Sequence, residues 1–324
     1  MNKRIKATLL LGCIVVAAGL MVCIAGAIVS NVNSEKLFAE KMENGKGYTY
    51  PLNEEKLTGI DITVTDATVN IIGDSTEGKI EVINFDENLY YMDNDAAKLS
   101  FKESSGYKQV LNFFESGFTF KGVRHIVRLD PPSGEKIINI YLSDKNILKN
   151  CYITTGKGKI AVENMGSNVT YRFSVQDGSV AMNNVTTESD ITLSALQSSD
   201  LSIVFNSVKA KNLSIESADA ELKSSALSFE GGKISITHGS AQVDYIPASR
   251  YFKLGVNANG KLTVNESPYT STYSFEKLPE PSDDPDAEET TAAVPTITID
   301  GRELSVYLTG ECFGEAETSE GTEK

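Results

Sequence analysis

The sequence is poor in the residues on which most catalytic sites depend. Its 324 residues include two histidines, four cysteines and no tryptophan. His125 and His238 lie far apart in the chain, and no His/Cys cluster has the spacing of a zinc site. Neither histidine is accompanied by a G-x-S-x-G elbow, so a Ser-His-Asp triad has no support. Gly156-Lys157-Gly158-Lys159 lacks both the spacing and the following helix of a phosphate loop. The acidic run SDDPDAEE has neither the residue order nor the glycine of an EF-hand. The expectation is therefore a protein with no catalytic set, no cofactor and no dedicated metal site.

Basic residues are also in short supply. Lys and Arg number 30 against 44 Asp and Glu, for a net charge of −14. Three of those cations, Lys3, Arg4 and Lys6, sit at the extreme N-terminus, so the rest of the chain is more acidic still. Such a surface repels nucleic acid and anionic lipid headgroups, and favours cations, basic partners or solubility. The cysteines do not make a disulfide framework. Cys13 and Cys23 lie in an apolar run where a thiol acts as a small hydrophobe, while nothing in the spacing of Cys151 and Cys312 requires them to pair.

That apolar run, ATLLLGCIVVAAGLMVCIAGAIV over residues 7–29, is the longest uncharged stretch after the basic start. As a helix it would extend about 35 Å, enough for a hydrocarbon core of ~30 Å. The positive flank predicts a cytoplasmic N-terminus and an extracytoplasmic remainder, hence a single-pass protein of the cell membrane. Two rivals are a signal-peptidase site at Ala25-Gly26-Ala27 and a lipobox at Leu10-Leu11-Gly12-Cys13. The run is longer than a usual signal peptide, and too few apolar residues precede Leu11 for the lipobox. An uncleaved signal anchor over 1–30 is the expectation, followed by a juxtamembrane segment over 31–52.

Beyond it the chain repeats a short phrase. Leu201-Ser202-Ile203, Leu213-Ser214-Ile215 and Ala220-Glu221-Leu222 recur within SSDLSIVFNSVKAKNLSIESADAELKSS. Ile160, Val180, Leu201, Leu222, Val243 and Leu262 follow one another at about 20 residues, each preceded two positions earlier by Gly, Ser or Ala. Tyr171, Ile191, Leu213, Ile234 and Leu254 form a second series half a period away. Two short strands per unit, each with only two or three inward apolar residues, cannot bury a core alone, whereas stacked units can. The expectation is an all-β fold, a parallel β-solenoid of about 20-residue coils over 53–266, with an antiparallel β-sandwich as the alternative. Ile60, Ile80 and Leu99 extend the same beat upstream.

An aromatic-rich insertion at about 103–134 interrupts the pattern. Its Phe113, Phe114, Phe118 and Phe120 are candidates for a contact surface or for packing on the flank or N-terminal end of the coils. Asp177, Asp190, Asp200 and Asp219 fall near unit turns, and carboxylates converging in a groove would mark a carbohydrate-active enzyme. Composition predicts an acidic, Pro-rich linker over 267–295 and a disordered acidic tail over 311–324. Between them, 296–310 reads as a β-hairpin turning at Asp300-Gly301 that could cover the open end of the last coil. Asn168, Asn184, Asn212 and Asn265 begin N-x-[ST] sequons and read first as turn residues.

The run IINIYLSDKNILKNCYITTGKGKIAVENM, followed by DGSVAMNNV and SDITLSAL, resembles a family of bacterial β-strand-repeat proteins of unknown function labelled "putative adhesin". Ile153, Thr155, Gly158 and Ile160 match the family's I-x-T-x-x-G-x-I unit, and Thr65 to Ile71 resembles its first unit. Leu142-Ser143 stands where that family usually has Leu-Pro. The resemblance spans roughly 55–265 and implies a role at the cell envelope. It carries no catalytic residues over. Together these readings point to a non-enzymatic, membrane-anchored, extracytoplasmic repeat protein, adhesin-like or a scaffold, with a cell-wall or membrane-protein partner. A carbohydrate-active β-helix enzyme and a membrane-tethered regulator of envelope stress are the alternatives.

Overall fold

Alternation of apolar and polar residues with a period of two dictates strands, and strands are what the chain forms. The structure, a computed structural model, describes residues 40–41, 47–85, 90–95, 97–103, 134–166, 168–278 and 294–313. The N-terminal 1–30 segment and the insertion's four phenylalanines lie outside the described residues. No helix among the described residues is long and apolar enough to cross a membrane.

The chain enters through β1 (Glu40–Lys41), β2 (Gly47–Pro51), β3 (Gly59–Ile72), β4 (Lys79–Ile83), β5 (Tyr90–Asp95) and β6 (Lys98–Glu103). It continues as β7 (Ile137–Tyr141), β8 (Asn150–Met165), β9 (Thr170–Thr186), β10 (Asp190–Ala195) and the long β11 (Leu201–Tyr245). The last elements are β12 (Phe252–Ala258), β13 (Leu262–Val264), β14 (Ser267–Tyr269), β15 (Thr272–Lys277), β16 (Thr296–Gly301) and β17 (Glu303–Thr309).

Pairing is parallel through the middle and antiparallel at the ends. β8 lies between β3 and β9, parallel to both, with Ile62, Ile153 and Phe173 in one inward column and Ile71, Val162 and Met182 in another. One ladder continues from β9 to β10 and to residues 212–217 of β11, and the other from β9 to residues 201–209 of β11. Inward residues are buried throughout, with Ile62, Ile71, Val162 and Met182 wholly inaccessible. At the N-terminal end β5 lies antiparallel to β6, and β4 antiparallel to both β2 and β7. At the other end β15 and β14 lie antiparallel to β12 and β13. Aromatic side chains plug both ends: Phe85, Tyr90 and Phe101 at one, and Tyr245, Phe252, Phe275 and Phe313 at the other.

Several sequence-based registers need correction. Ile160 faces Val180, and Tyr171, Ile191 and Leu213 share a column, as the repeat predicts. Val180, however, pairs with Ile203 and not Leu201. Ile80 belongs to antiparallel β4 and is no parallel unit, whereas Leu99 pairs directly with Ile60. Residues 267–277, read as the start of a linker, form β14 and β15. The expected hairpin over 296–310 is also overturned. β16 and β17 do not pair with each other. Both run parallel inside the ladders, β16 between β11 and β12, and β17 between β11 and β13. The C-terminal segment is thus a wedge between two units consecutive in sequence, and the end of the ladders is closed by β14 and β15.

Candidate interaction surfaces

Outward residues of neighbouring strands stand in straight columns because the parallel registers are in phase. Asp61, Tyr152, Arg172, Thr192 and Ser214 form one such column, with Thr63, Thr154, Ser174, Ser194 and Glu216 beside it. The Arg172 guanidinium lies over the Tyr152 ring, 5.2 Å from its centroid. The Tyr152 hydroxyl donates to Asn150 Oδ1 at 3.2 Å, fixing that amide at the strand entrance.

Asn150 opens onto a shallow groove of about 600 Å³ lined by Asn146, Ile147, Leu148, Lys149, Asn168, Thr170 and Ser189. The β7–β8 connection builds one wall, held by Glu54, whose carboxylate accepts from the Ser143 backbone N–H and hydroxyl. Asn146 donates its amide to the Ser143 carbonyl at 2.6 Å. Ser189 donates to Asn168 Oδ1 at 2.6 Å on the opposite wall. Ile147 is 44% exposed, a bare aliphatic surface among amides and hydroxyls. Such a lining offers amide and hydroxyl donors and acceptors, one ammonium group at Lys149 and a small apolar platform, which suits a hydroxyl- or amide-bearing ligand. Apart from the sequon at Asn168, nothing in the sequence marked these residues, because they come together only across the stacked turns.

Two of the carboxylates near turns, Asp177 and Asp190, bind the neighbouring unit. Asp177 accepts from the backbone N–H and hydroxyl of Ser199, both at 3.0 Å, and those bonds hold its carboxyl below the ordinary range. Asp190 accepts from Asn212 at 2.8 Å, and Asp244 from the Ala226 N–H at 3.1 Å. Each ties one strand unit to the next. Asn184 and Asn265 occupy left-handed turns at φ 54° and 45°, in keeping with their reading as turn residues. Among the described residues no group of three or more His, Cys, Asp or Glu could hold a metal ion. His238 is exposed, with Nδ1 3.2 Å from the Ala218 carbonyl oxygen. Cys151 and Cys312 are both free thiols.

The two stumps of the insertion are pinned at one corner. Lys136 pairs with Glu103, Glu103 also accepts from the Thr65 N–H at 2.7 Å, and Asn84 donates to the Glu135 carbonyl at 2.7 Å. Burial works to raise the Glu103 pKa, but the Lys136 and Thr65 bonds outweigh it and hold the carboxyl below its ordinary value.

No family model matches the chain, and no curated protein matches it. Among solved structures it is similar to one described as a "putative cell adhesion protein" from Clostridium sporogenes ATCC 15579. Identity is 13%, the match covers 82% of this chain and 99% of that one, and the TM-score is 0.33.

Proposed function

We propose that this chain is a membrane-anchored, extracytoplasmic β-solenoid that works as a binding module of the cell envelope, adhesin-like in mode and without catalysis of its own. The apolar 7–29 segment with its basic flank supports the anchor. Parallel registers near 20 residues, carried from β8 through β9 and β10 to β11, support the solenoid. The observation that carries the functional reading is the amide- and hydroxyl-lined groove around Asn150 and Asn168, set beside a column containing Tyr152 and Arg172. Its chemistry fits a hydroxyl- and amide-bearing envelope polymer, the ligand class to which the proposal commits.

The test is co-sedimentation of the detergent-solubilised full chain with isolated cell walls at two salt concentrations. Saturable binding that persists at the higher salt, and that weakens at least tenfold in Asn150→Ala/Asn168→Ala with the fold intact by circular dichroism, supports the reading. Binding unaffected by those substitutions removes the groove from it, and no binding at all removes the wall-directed function. Shortening of the wall polymer on incubation would favour the carbohydrate-active alternative.

A further inference from the structure

The C-terminal wedge has an unusual relation to the rest of the chain. No backbone pairing joins β11 to β12 or β13 directly. β16 bridges residues 232–235 of β11 to β12, and β17 bridges residues 238–244 of β11 to β13. The wedge fills a slot with two parallel edges, and only a strand of matching register satisfies both. Its fit is specific. Ile297, Ile299, Leu304, Val306 and Leu308 enter the core, Asp300 pairs with Lys233 at 3.1 Å, and Tyr307 receives Lys261 over its ring at 5.5 Å. Asn265 clamps the end of the wedge by accepting from the Gly310 N–H at 3.1 Å and donating to the Gly310 and Phe313 carbonyls.

The tether is far longer than this arrangement needs. Lys277 pairs with Phe252, and Thr296 with Lys253, so the two ends of the connection flank one strand. That separation is two strand spacings, roughly 10 Å. Residues 278–295 join them, and a chain of that length can reach on the order of 50 Å. Wedge and slot would make the same contacts whether or not they belong to one chain, so only the effective concentration set by the tether favours the closed form. A long tether weakens that preference.

We propose that residues 294–313 are an exchangeable strand segment and that the slot between β11 and β12/β13 accepts this segment from a second copy of the chain. Two copies exchanging segments keep every buried contact, and each slot remains filled. The occupant is another copy because the slot demands this hydrophobic alternation, this register and the Asn265 clamp together. The exchange does not depend on the groove or on what it binds.

Thr263 and Tyr307 are outward-facing partners across the β13–β17 ladder, and Ser240 and Ser305 across the β11–β17 ladder. Full-length chains carrying Cys13→Ser, Cys23→Ser and Cys312→Ser would be co-expressed with two tags, one with Thr263→Cys and the other with Tyr307→Cys, and oxidised in the cell. A disulfide-linked dimer containing both tags is expected. Its yield should rise with expression level and exceed at least fivefold that of the out-of-register combination Thr263→Cys with Thr309→Cys. A single chain carrying both Thr263→Cys and Tyr307→Cys reports on the fold by closing its own disulfide. Closure in that chain, with mixed dimer no greater than the out-of-register background, would overturn the exchange while leaving the fold intact. Mixed dimer through Ser240→Cys and Ser305→Cys alone would overturn it too, since the whole 252–313 block would then be moving and the wedge would not be leaving β13.

Discussion

Gly178 sits at φ +121°, and a Cβ built there would stand 1.9 Å from the Gly158 carbonyl oxygen. Backbone strain and a backbone clash therefore act together at one turn of the stack. Gly178→Ala should cost about 1–3 kcal/mol in denaturant unfolding. Gly255 has nothing within 4 Å of its would-be Cβ, and Gly255→Ala should stay within about 0.5 kcal/mol of the parent or exceed it. Equal losses at the two sites would contradict the turn geometry.

Buried titratable groups set the pH range of stability. Burial pushes the Cys151 thiol up to about 12 from an ordinary 9.0, and burial, with Cys151 beside it, pushes the Tyr171 hydroxyl well above 10.0. Unfolding lets these protons leave earlier, so stability holds below about pH 9 and falls as pH rises beyond it. Glu103 lies on the other limb. Its carboxyl is held below 4.5, so the stability it contributes is present above that pH and is lost as pH falls through the folded value. Urea midpoints measured from pH 3 to 11 should trace a dome, with the acid limb shallower in Glu103→Gln. An acid limb unchanged by that substitution would show that the Lys136–Glu103 corner adds no stability.

At the scale of elements, the wedge depends on a single side chain for its last turn. Asn265→Ala removes three hydrogen bonds and places Ala at φ 45°, so it should destabilise the chain by roughly 1–3 kcal/mol. Hydrogen exchange should quicken first in 304–309, and equal acceleration in β8 and β9 would show that the wedge is not a separable element.

The sequence made the strands legible because inward residues such as Ile153, Ile160 and Val162 alternate without a break. It also made legible the register from Tyr171 to Ile191 to Leu213, although the spacing changes from 20 to 22 residues. A slip of two residues keeps every apolar side chain inward, so periodicity could not separate Leu201 from Ile203 as the partner of Val180. Asp300-Gly301, read as a hairpin turn, instead ends β16 in register with Asn257-Ala258, and the break before β17 falls at Arg302; a local hairpin signal says nothing of two parallel edges far away in sequence. The same limit hid the groove, whose Asn146, Asn168 and Ser189 come from three successive turns.

At the scale of the whole molecule, a parallel stack would expose unpaired strand edges at both ends, which invites indiscriminate association. Here both ends finish in antiparallel strands backed by aromatic clusters. β5 and the β2–β4 pair close one end, and β14 and β15 the other.

The most direct test of this architecture is disulfide mapping across the wedge, using single chains that lack Cys13, Cys23 and Cys312. Gln242 faces Tyr307, and Tyr307 faces Thr263, so Gln242 and Thr263 are separated by a whole strand. Rapid closure is expected in Gln242→Cys/Tyr307→Cys and in Thr263→Cys/Tyr307→Cys. Gln242→Cys/Thr263→Cys should stay open, because two strand spacings exceed the roughly 7 Å limit between Cα atoms. Ready closure of that third pair, with either of the first two failing, would place β13 directly on β11 and contradict the wedge.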